Sequence, residues 1–196
     1  MKVWRISDLK CIETIDAHDD AVLLFTGSDD CTVKIWRKNF GRSPHMLLTT
    51  LRGESGLGRE NGMGPVKALA LNANGSTLFT GTCNGRTVCW EKERYSSSQM
   101  CQIDILGGPQ HAILSLATGG NNLLFSGSSD ATIRTWIRSD SGSHTCISTM
   151  MRAHGGPVKC IVSTLDDEND GMLFTGGLDG AVKLWRVSVK QRRRRL

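Results

Sequence analysis

Leu24-Phe25-Thr26-Gly27-Ser28-Asp29-Asp30-Cys31-Thr32-Val33-Lys34-Ile35-Trp36 decides the fold. The same thirteen-residue frame returns at 78–90, 124–136 and 173–185. Each copy runs apolar residue, Phe, Thr or Ser, Gly, a short turn, then a strand that closes on Trp. Self-similarity at a fixed period is the mark of a repeat architecture. The frame itself predicts a β-hairpin. Leu-Phe-Thr-Gly is a short strand, and Ser-Asp-Asp-Cys is rich in residues that tolerate tight or left-handed turns. In the second strand Val33 and Ile35 alternate onto one face and Trp36 falls on the other. A lone hairpin is marginal in water, so each copy must stack on a neighbour. The Trp-to-Trp spacings of 54, 46 and 49 residues leave room for two more strands per unit. Four strands at that period predict a propeller blade.

The frames resemble the WD-repeat family. That resemblance implies an all-β fold of WD-type β-propeller blades, about four repeats, forming an incomplete or open propeller. It also implies a non-enzymatic platform for other proteins, with no catalytic residue, no metal and no cofactor.

The chain divides accordingly. Residues 1–189 form the WD-repeat region and 190–196 a basic tail. Lys2-Val3-Trp4-Arg5 matches the end of a frame, as in Lys183-Leu184-Trp185-Arg186, so 1–15 supplies an outer strand and the sequence reads as starting inside a longer parent. The units are 16–38, 39–94, 95–138 and 139–189. The first is shortened, because Ala21-Val22 runs straight into Leu23-Leu24-Phe25. About one strand is missing there, the inner one in the family. The second has an outer strand over 46–51, a glycine-rich loop over 52–64 and a buried strand over 65–71. Gly56-Leu57-Gly58 in that loop is not followed by a helical pattern, so it offers no helix N-terminus to a phosphate. The third has strands near 100–106, 113–117, 123–127 and 132–138.

The seven cysteines are scattered and form no Cys-x-x-Cys pair. Cys11, Cys89, Cys101, Cys146 and Cys160 fall in predicted strands, where a reduced thiol packs as a small apolar group; this points to a reducing compartment. The N-terminus lacks the apolar core of a secretory signal, and no apolar run approaches a membrane span. Of 24 basic and 19 acidic residues, Lys190, Arg192, Arg193, Arg194 and Arg195 lie in the tail. The rest of the chain is neutral, so nucleic acid is an unlikely partner except through the tail.

The resemblance implies an internal hydrogen-bond chain in which a turn Asp contacts a His, the His a strand hydroxyl, and the hydroxyl the Trp indole. In the first unit these positions hold His18, Thr26, Asp30 and Trp36, and in the fourth His154, Thr175, Asp179 and Trp185. The third keeps Ser126, Asp130 and Trp136 but has Pro109 in place of His. The second keeps Thr80 and Trp90, has Asn84 for Asp and has no His in its loop. Ser or Thr, His and Asp together also invite a hydrolase reading. Recurrence in two units, with the hydroxyl facing an indole, argues instead for buried polar groups satisfying one another.

After each Trp the family usually has Asp; this chain has Arg5, Arg37, Glu91, Ile137 and Arg186. The Trp-Asp-x-Arg of proteins that dock on cullin-type ligase adaptors is therefore missing. A basic rim takes its place: Arg5, Arg37, Lys38, Lys92, Arg94, Arg138 and Arg186. It would suit an acidic partner, the plain alternative being a solvated rim, since Asp8, Glu91, Glu93 and Asp140 lie among these residues. The arginine tail reads as a nuclear import signal or an anionic-surface contact, or as a frayed end with no role.

Residues 8–22, Gly156-Pro157-Val158-Lys159-Cys160 and Trp136-Ile137-Arg138 resemble the plant Jingubang-type WD-repeat proteins, themselves similar to the propeller of myosin heavy chain kinase. That resemblance implies binding of regulatory proteins in cytoplasm and nucleus. The expectation is a protein-interaction scaffold; the alternatives are a nucleus-directed regulator that contacts nucleic acid or acidic partners through its tail, and a truncated product without function. Blades tuned for a larger ring would leave two apolar faces open, so self-association is a further expectation.

Overall fold

A computed structural model describes residues 2–5, 10–14, 23–38, 45–53, 63–93, 99–108, 111–120, 122–166 and 170–189. Among them sixteen strands form five antiparallel sheets, with no helix. β1 (Lys2–Arg5) pairs with β2 (Lys10–Thr14). The first full unit is β3 (Leu23–Gly27), β4 (Thr32–Lys38) and β5 (His45–Arg52). The second is β6 (Val66–Leu71), β7 (Thr77–Thr82), β8 (Thr87–Lys92) and β9 (Met100–Leu106). The third is β10 (Ile113–Gly119), β11 (Leu123–Ser128), β12 (Ile133–Arg138) and β13 (His144–Met150). The fourth is β14 (Val158–Leu165), β15 (Asp170–Gly177) and β16 (Val182–Ser188).

Every frame is a hairpin of neighbouring strands, and the four turns are built alike. In the first, Ser28 N donates to Thr32 O and Cys31 N to Ser28 O. The pairs Thr82 to Arg86 and Gly85 to Thr82, Ser128 to Thr132 and Ala131 to Ser128, and Gly177 to Ala181 and Gly180 to Gly177 repeat it. The residue after the turn Asp or Asn takes a left-handed φ each time: 64° at Cys31, 81° at Gly85, 67° at Ala131 and 76° at Gly180. Glycine meets that demand without strain at two of the four; the other two carry a side chain in a region that disfavours one.

The sheets stack in chain order, the frame strand β3 on β6, and the inner strands β6 on β10 and β10 on β14. Three cores lie between them. Val33, Ile35, Leu51, Val66, Leu78 and Trp90 fill the first, and Phe79, Cys89, Leu106, Leu124 and Trp136 the second. Leu123, Phe125, Ile133, Val158, Ile161 and Leu173 fill the third. Alternation explains the division: Phe and Gly of each frame face the following sheet, while Leu, the hydroxyl and Trp face the preceding one. Burying one Phe as completely as Phe125, at 0% exposed, contributes about 2–3 kcal/mol.

The frame glycine has a packing reason. A Cβ on Gly81 would sit 2.7 Å from Ile113 Cγ2, and one on Gly127 would sit 2.7 Å from Val158 Cγ1. Gly27 meets Val66 in the same way. Each glycine is a bed for the first apolar side chain of the next sheet's inner strand. At Gly176 a Cβ would meet only Cys160 of its own sheet, and Val162, Val182 and Leu184 around it are 59%, 72% and 59% exposed.

Two sheets are short, in different ways. Among the described residues the first has no counterpart of β6, β10 and β14; the shortening expected at Ala21-Val22 falls on 15–22, which lie outside them. The fourth has no outer strand among the described residues. The strand over 46–51 pairs with β4, so the outer strand that leads each sequence unit closes the sheet of the unit before it. Among the described residues β2 pairs with β1 and does not join the fourth sheet, and the sheets do not close into a ring.

The cysteines meet expectation at Cys89 and depart from it at three others. Cys89 is buried at 0% exposed, and burial pushes its thiol well above the usual range. Cys101, Cys146 and Cys160 are exposed rather than packed. The first two lie on outer strands, and the third lies on the open face of the fourth sheet. The loop over 54–62, Gly56-Leu57-Gly58 and the tail lie outside the described residues.

Candidate functional site

The fourth unit holds one continuous polar chain. Trp185 Nε1 donates to Thr175 Oγ1 at 2.9 Å, and His154 Nε2 lies 2.8 Å from the same hydroxyl. His154 Nδ1 lies 3.1 Å from both carboxylate oxygens of Asp179. Asp179 also accepts from the backbone N–H of Gly155 at 2.7 Å and of Ala181 at 3.1 Å. Those two N–H donors lead in holding its pKa down to about 2, with His154 adding to them. His154 and Thr175 are 2% and 1% exposed.

The described residues of the other units show the Trp-to-hydroxyl part of the chain. Trp36 donates to Thr26, Trp90 to Thr80 and Trp136 to Ser126, at 2.9, 2.9 and 3.0 Å. Asp30 and Asp130 turn to their own hairpins. Each accepts from the backbone N–H and hydroxyl of Thr32 or Thr132, the hydroxyl bonds at 2.6 Å. The Thr132 bonds hold the Asp130 carboxyl below its usual range against the opposing effect of burial. In the second unit Thr82 Oγ1 donates to Asn84. His18 and Pro109 lie outside the described residues. Ser128 Oγ reaches the backbone oxygen of His111, not its ring.

The basic rim is not uniform. Arg138 Nη2 pairs with Glu91 at 2.9 Å and its Nη1 reaches Thr77, so it ties the third sheet to the second. Arg186 lies 3.8 Å from Asp170, with the two side chains 79% and 47% exposed. Lys92 is exposed, while Arg37 is half-buried with its Nε unpartnered. Arg5 and Lys38 are placed by backbone alone, and Arg94, Lys190 and Arg192 to Arg195 lie outside the described residues.

Two positions escaped the sequence reading. His144 begins β13 and crosses to the second sheet: its backbone N–H and Nδ1 both meet Asp104 Oδ2, at 3.1 and 3.2 Å, and its ring stands edge-on to Phe79 at 5.5 Å. A cavity of about 290 Å³ lined by Glu91, Asp104, Arg138, Ser141 and Ser143 opens beside it. At the opposite end Lys67 meets Asp29 at 2.6 Å and ties the first sheet to the second. The signal for both pairs was weak, since the partners lie about 40 residues apart and neither pair recurs in every unit. Among the described residues no group of three or more His, Cys, Asp or Glu could hold a metal ion, and no helix is long and apolar enough to cross a membrane.

The model for "WD domain, G-beta repeat" matches residues 7–37 and 144–186. The nuclear distribution protein nudF of Emericella nidulans is 29% identical over 187 residues, covering 89% of this chain and 38% of that protein. Zinc finger CCCH domain-containing protein 59 of Arabidopsis thaliana is 28% identical over 187 residues, covering 94% of this chain and 33% of that one. Among solved structures, U3-55K superposes with a TM-score of 0.63 at 23% identity, covering 84% of this chain and 45% of that chain. The chain thus spans less than half the length of the relatives it matches. Two of its segments match the WD40 repeat, and the WD40 propeller blade is the architecture that its sheets share with the solved relatives.

Proposed function

We propose that the chain is a non-enzymatic scaffold for other proteins, with its contact surface at the turn end of the sheets around Asp29, Asp30 and Asp130. One observation carries the reading. The residues that could have supplied nucleophilic chemistry, His154, Thr175 and Asp179, spend their polar atoms on one another and on Trp185, with the hydroxyl buried. A nucleophile needs access and an oxyanion site; this hydroxyl has an indole and an imidazole. The turn carboxylate of Asp29, by contrast, is 74% exposed even while it pairs with Lys67.

A second surface is the rim of Arg37, Lys92 and Arg186, suited to an acidic partner; Arg138 is already committed to Glu91. The likeness to the plant Jingubang group supports regulatory proteins as partners and the cytoplasm or nucleus as the place. Affinity capture from a cell extract tests the proposal by comparing the natural chain with Asp29→Lys/Asp130→Lys and with Arg37→Glu/Arg186→Glu. Loss of a reproducible partner set in either variant supports the surface concerned. An unchanged set in both sinks the proposal. Partners that fall away with salt and on deletion of 190–196 would assign binding to the tail instead.

A further inference from the structure

The turn between β12 and β13 gathers three serines. Ser139, Ser141 and Ser143 are all exposed, yet their hydroxyls converge. Ser139 Oγ lies 2.7 Å from Ser141 Oγ and 2.9 Å from Ser143 Oγ, and the last two lie 3.2 Å apart. The backbone holds them there: Ser139 N–H donates to Ser143 O at 2.8 Å, Gly142 N–H donates to Ser139 O at 2.9 Å, and Gly142 takes a φ of 89°. Hydroxyls so placed spend much of their bonding on one another. A phosphoryl group on one of them would offer the other two anionic oxygens, which accept far more strongly than a hydroxyl.

The charges beneath the turn single out one serine and one consequence. Ser141 lines the cavity that Glu91, Asp104 and Arg138 also line. A methyl on Gly142 would lie 3.6 Å from Arg138 Nη2, so a phosphate on the neighbouring Ser141 comes within reach of that guanidinium. Arg138 now pairs with Glu91 at 2.9 Å, with the two side chains 24% and 37% exposed, and reaches Thr77 at 3.4 Å. These contacts tie the third sheet to the second. A phosphate carries roughly 1.5 to 2 negative charges against one on a carboxylate, so it competes for the guanidinium and repels Glu91 and Asp104. Arg138 also stands three residues before Ser141, the spacing that kinases selective for basic substrates read.

We propose that Ser141 is a phosphorylation site for such a serine/threonine kinase, and that its phosphate draws Arg138 off Glu91 and loosens the joint between the second and third sheets. In the step, Ser141 Oγ bonds to the terminal phosphorus of ATP. The bond from that phosphorus to the bridging oxygen breaks to release ADP, and the hydroxyl proton passes to a carboxylate of the kinase. One arginine serves twice. The kinase takes it from Glu91 to read the site, and the phosphate then keeps it from returning.

The test incubates the full chain with Mg-ATP and the catalytic subunit of cyclic-AMP-dependent protein kinase. Fragmentation mass spectrometry locates the product, since Ser55 and Ser97 stand at the same spacing from Arg52 and Arg94. Ser141 should be modified in the natural chain, and Ser141→Ala should leave the turn unmodified. Arg138→Gln and Glu91→Gln both cut the same ion pair, so a site that needs only a looser turn would respond alike to both. Reading of Arg138 gives opposite signs: Arg138→Gln should slow modification at least about tenfold, and Glu91→Gln, which frees the arginine, should speed it. Phosphorus NMR of the modified chain should show the phosphate titrating at lower pH than in the urea-unfolded chain, because Arg138 favours its dianion. An unmodified Ser141 overturns the proposal. So do responses of one sign from the two variants, or a phosphate that titrates as it does in urea.

Discussion

Thr175 and Trp185 meet at 2.9 Å with the hydroxyl 1% exposed, whereas the equivalent pair Thr26 and Trp36 meets at the same distance with Thr26 exposed to solvent. One bond length thus hides two energies. Replacing Thr175 by Val strands the Trp185 N–H and one face of His154 in a dry interface, which costs about 1–3 kcal/mol. Thr26→Val leaves the indole to water and stays within about 0.5 kcal/mol. Urea unfolding followed by tryptophan fluorescence checks the contrast; equal losses at the two sites would refute it.

Asp179 sets an acid limit on the fourth sheet. Its folded pKa, about 2, lies below the ordinary 3.8, so the unfolded chain takes up its proton first as pH falls. The stabilisation is complete above pH 4 to 5 and is lost progressively toward pH 2. In Asp179→Asn the pH dependence of the melting temperature should flatten over that window. An unaltered acid limb would show that the carboxylate is not the controlling group.

His144 acts at a higher pH. Burial lowers its pKa below the ordinary 6.5 despite the opposing pull of Asp104, and its Nε2 has no partner. Arg138 adds to the lowering and Glu91 opposes it. Above 6.5 the ring is neutral in both folded and unfolded chains. As pH drops below 6.5 the unfolded chain binds the proton first, so stability falls until the folded pKa is passed. His144→Phe keeps an aromatic ring beside Phe79 and removes the titrating group; its melting temperature should lose the slope just below pH 6.5.

Gly127 is the glycine whose replacement is most telling. An added methyl would lie 2.5 Å from Ser115 Oγ, 2.7 Å from Val158 Cγ1 and 2.9 Å from Ile161 Cδ1. Forcing it in separates the third and fourth sheets, so Gly127→Ala should cost about 1–3 kcal/mol. Gly107, with nothing within 4 Å of the same methyl, should tolerate alanine within about 0.5 kcal/mol.

The sequence made the hairpins plain, because Phe25, Gly27 and Trp36 recur at fixed offsets and each offset has a single geometric meaning. The fates of Asp30 and Asp130 were not plain. Each has a threonine two residues on whose N–H and hydroxyl donate to it, and local bonds of that kind carry no signature in the repeat. The exposure of Cys101, Cys146 and Cys160 was equally hidden, because a strand's sequence does not say whether another sheet will cover it. His144 and Asp104 meet 40 residues apart, at positions that the repeat does not hold constant.

The glycine beds described above behave as couplings of one gauge. Gly27, Gly81 and Gly127 each seat the Val or Ile that opens the next sheet's inner strand, so one joint is used three times. Cooperativity then passes only from neighbour to neighbour, and the two terminal sheets, each gripped on one side, set where unravelling begins. Hydrogen exchange should accordingly be slowest in β7 and β11 and fastest in β3 and β16. The chain is less a globule with a centre than a row of links whose strength is set at the joints.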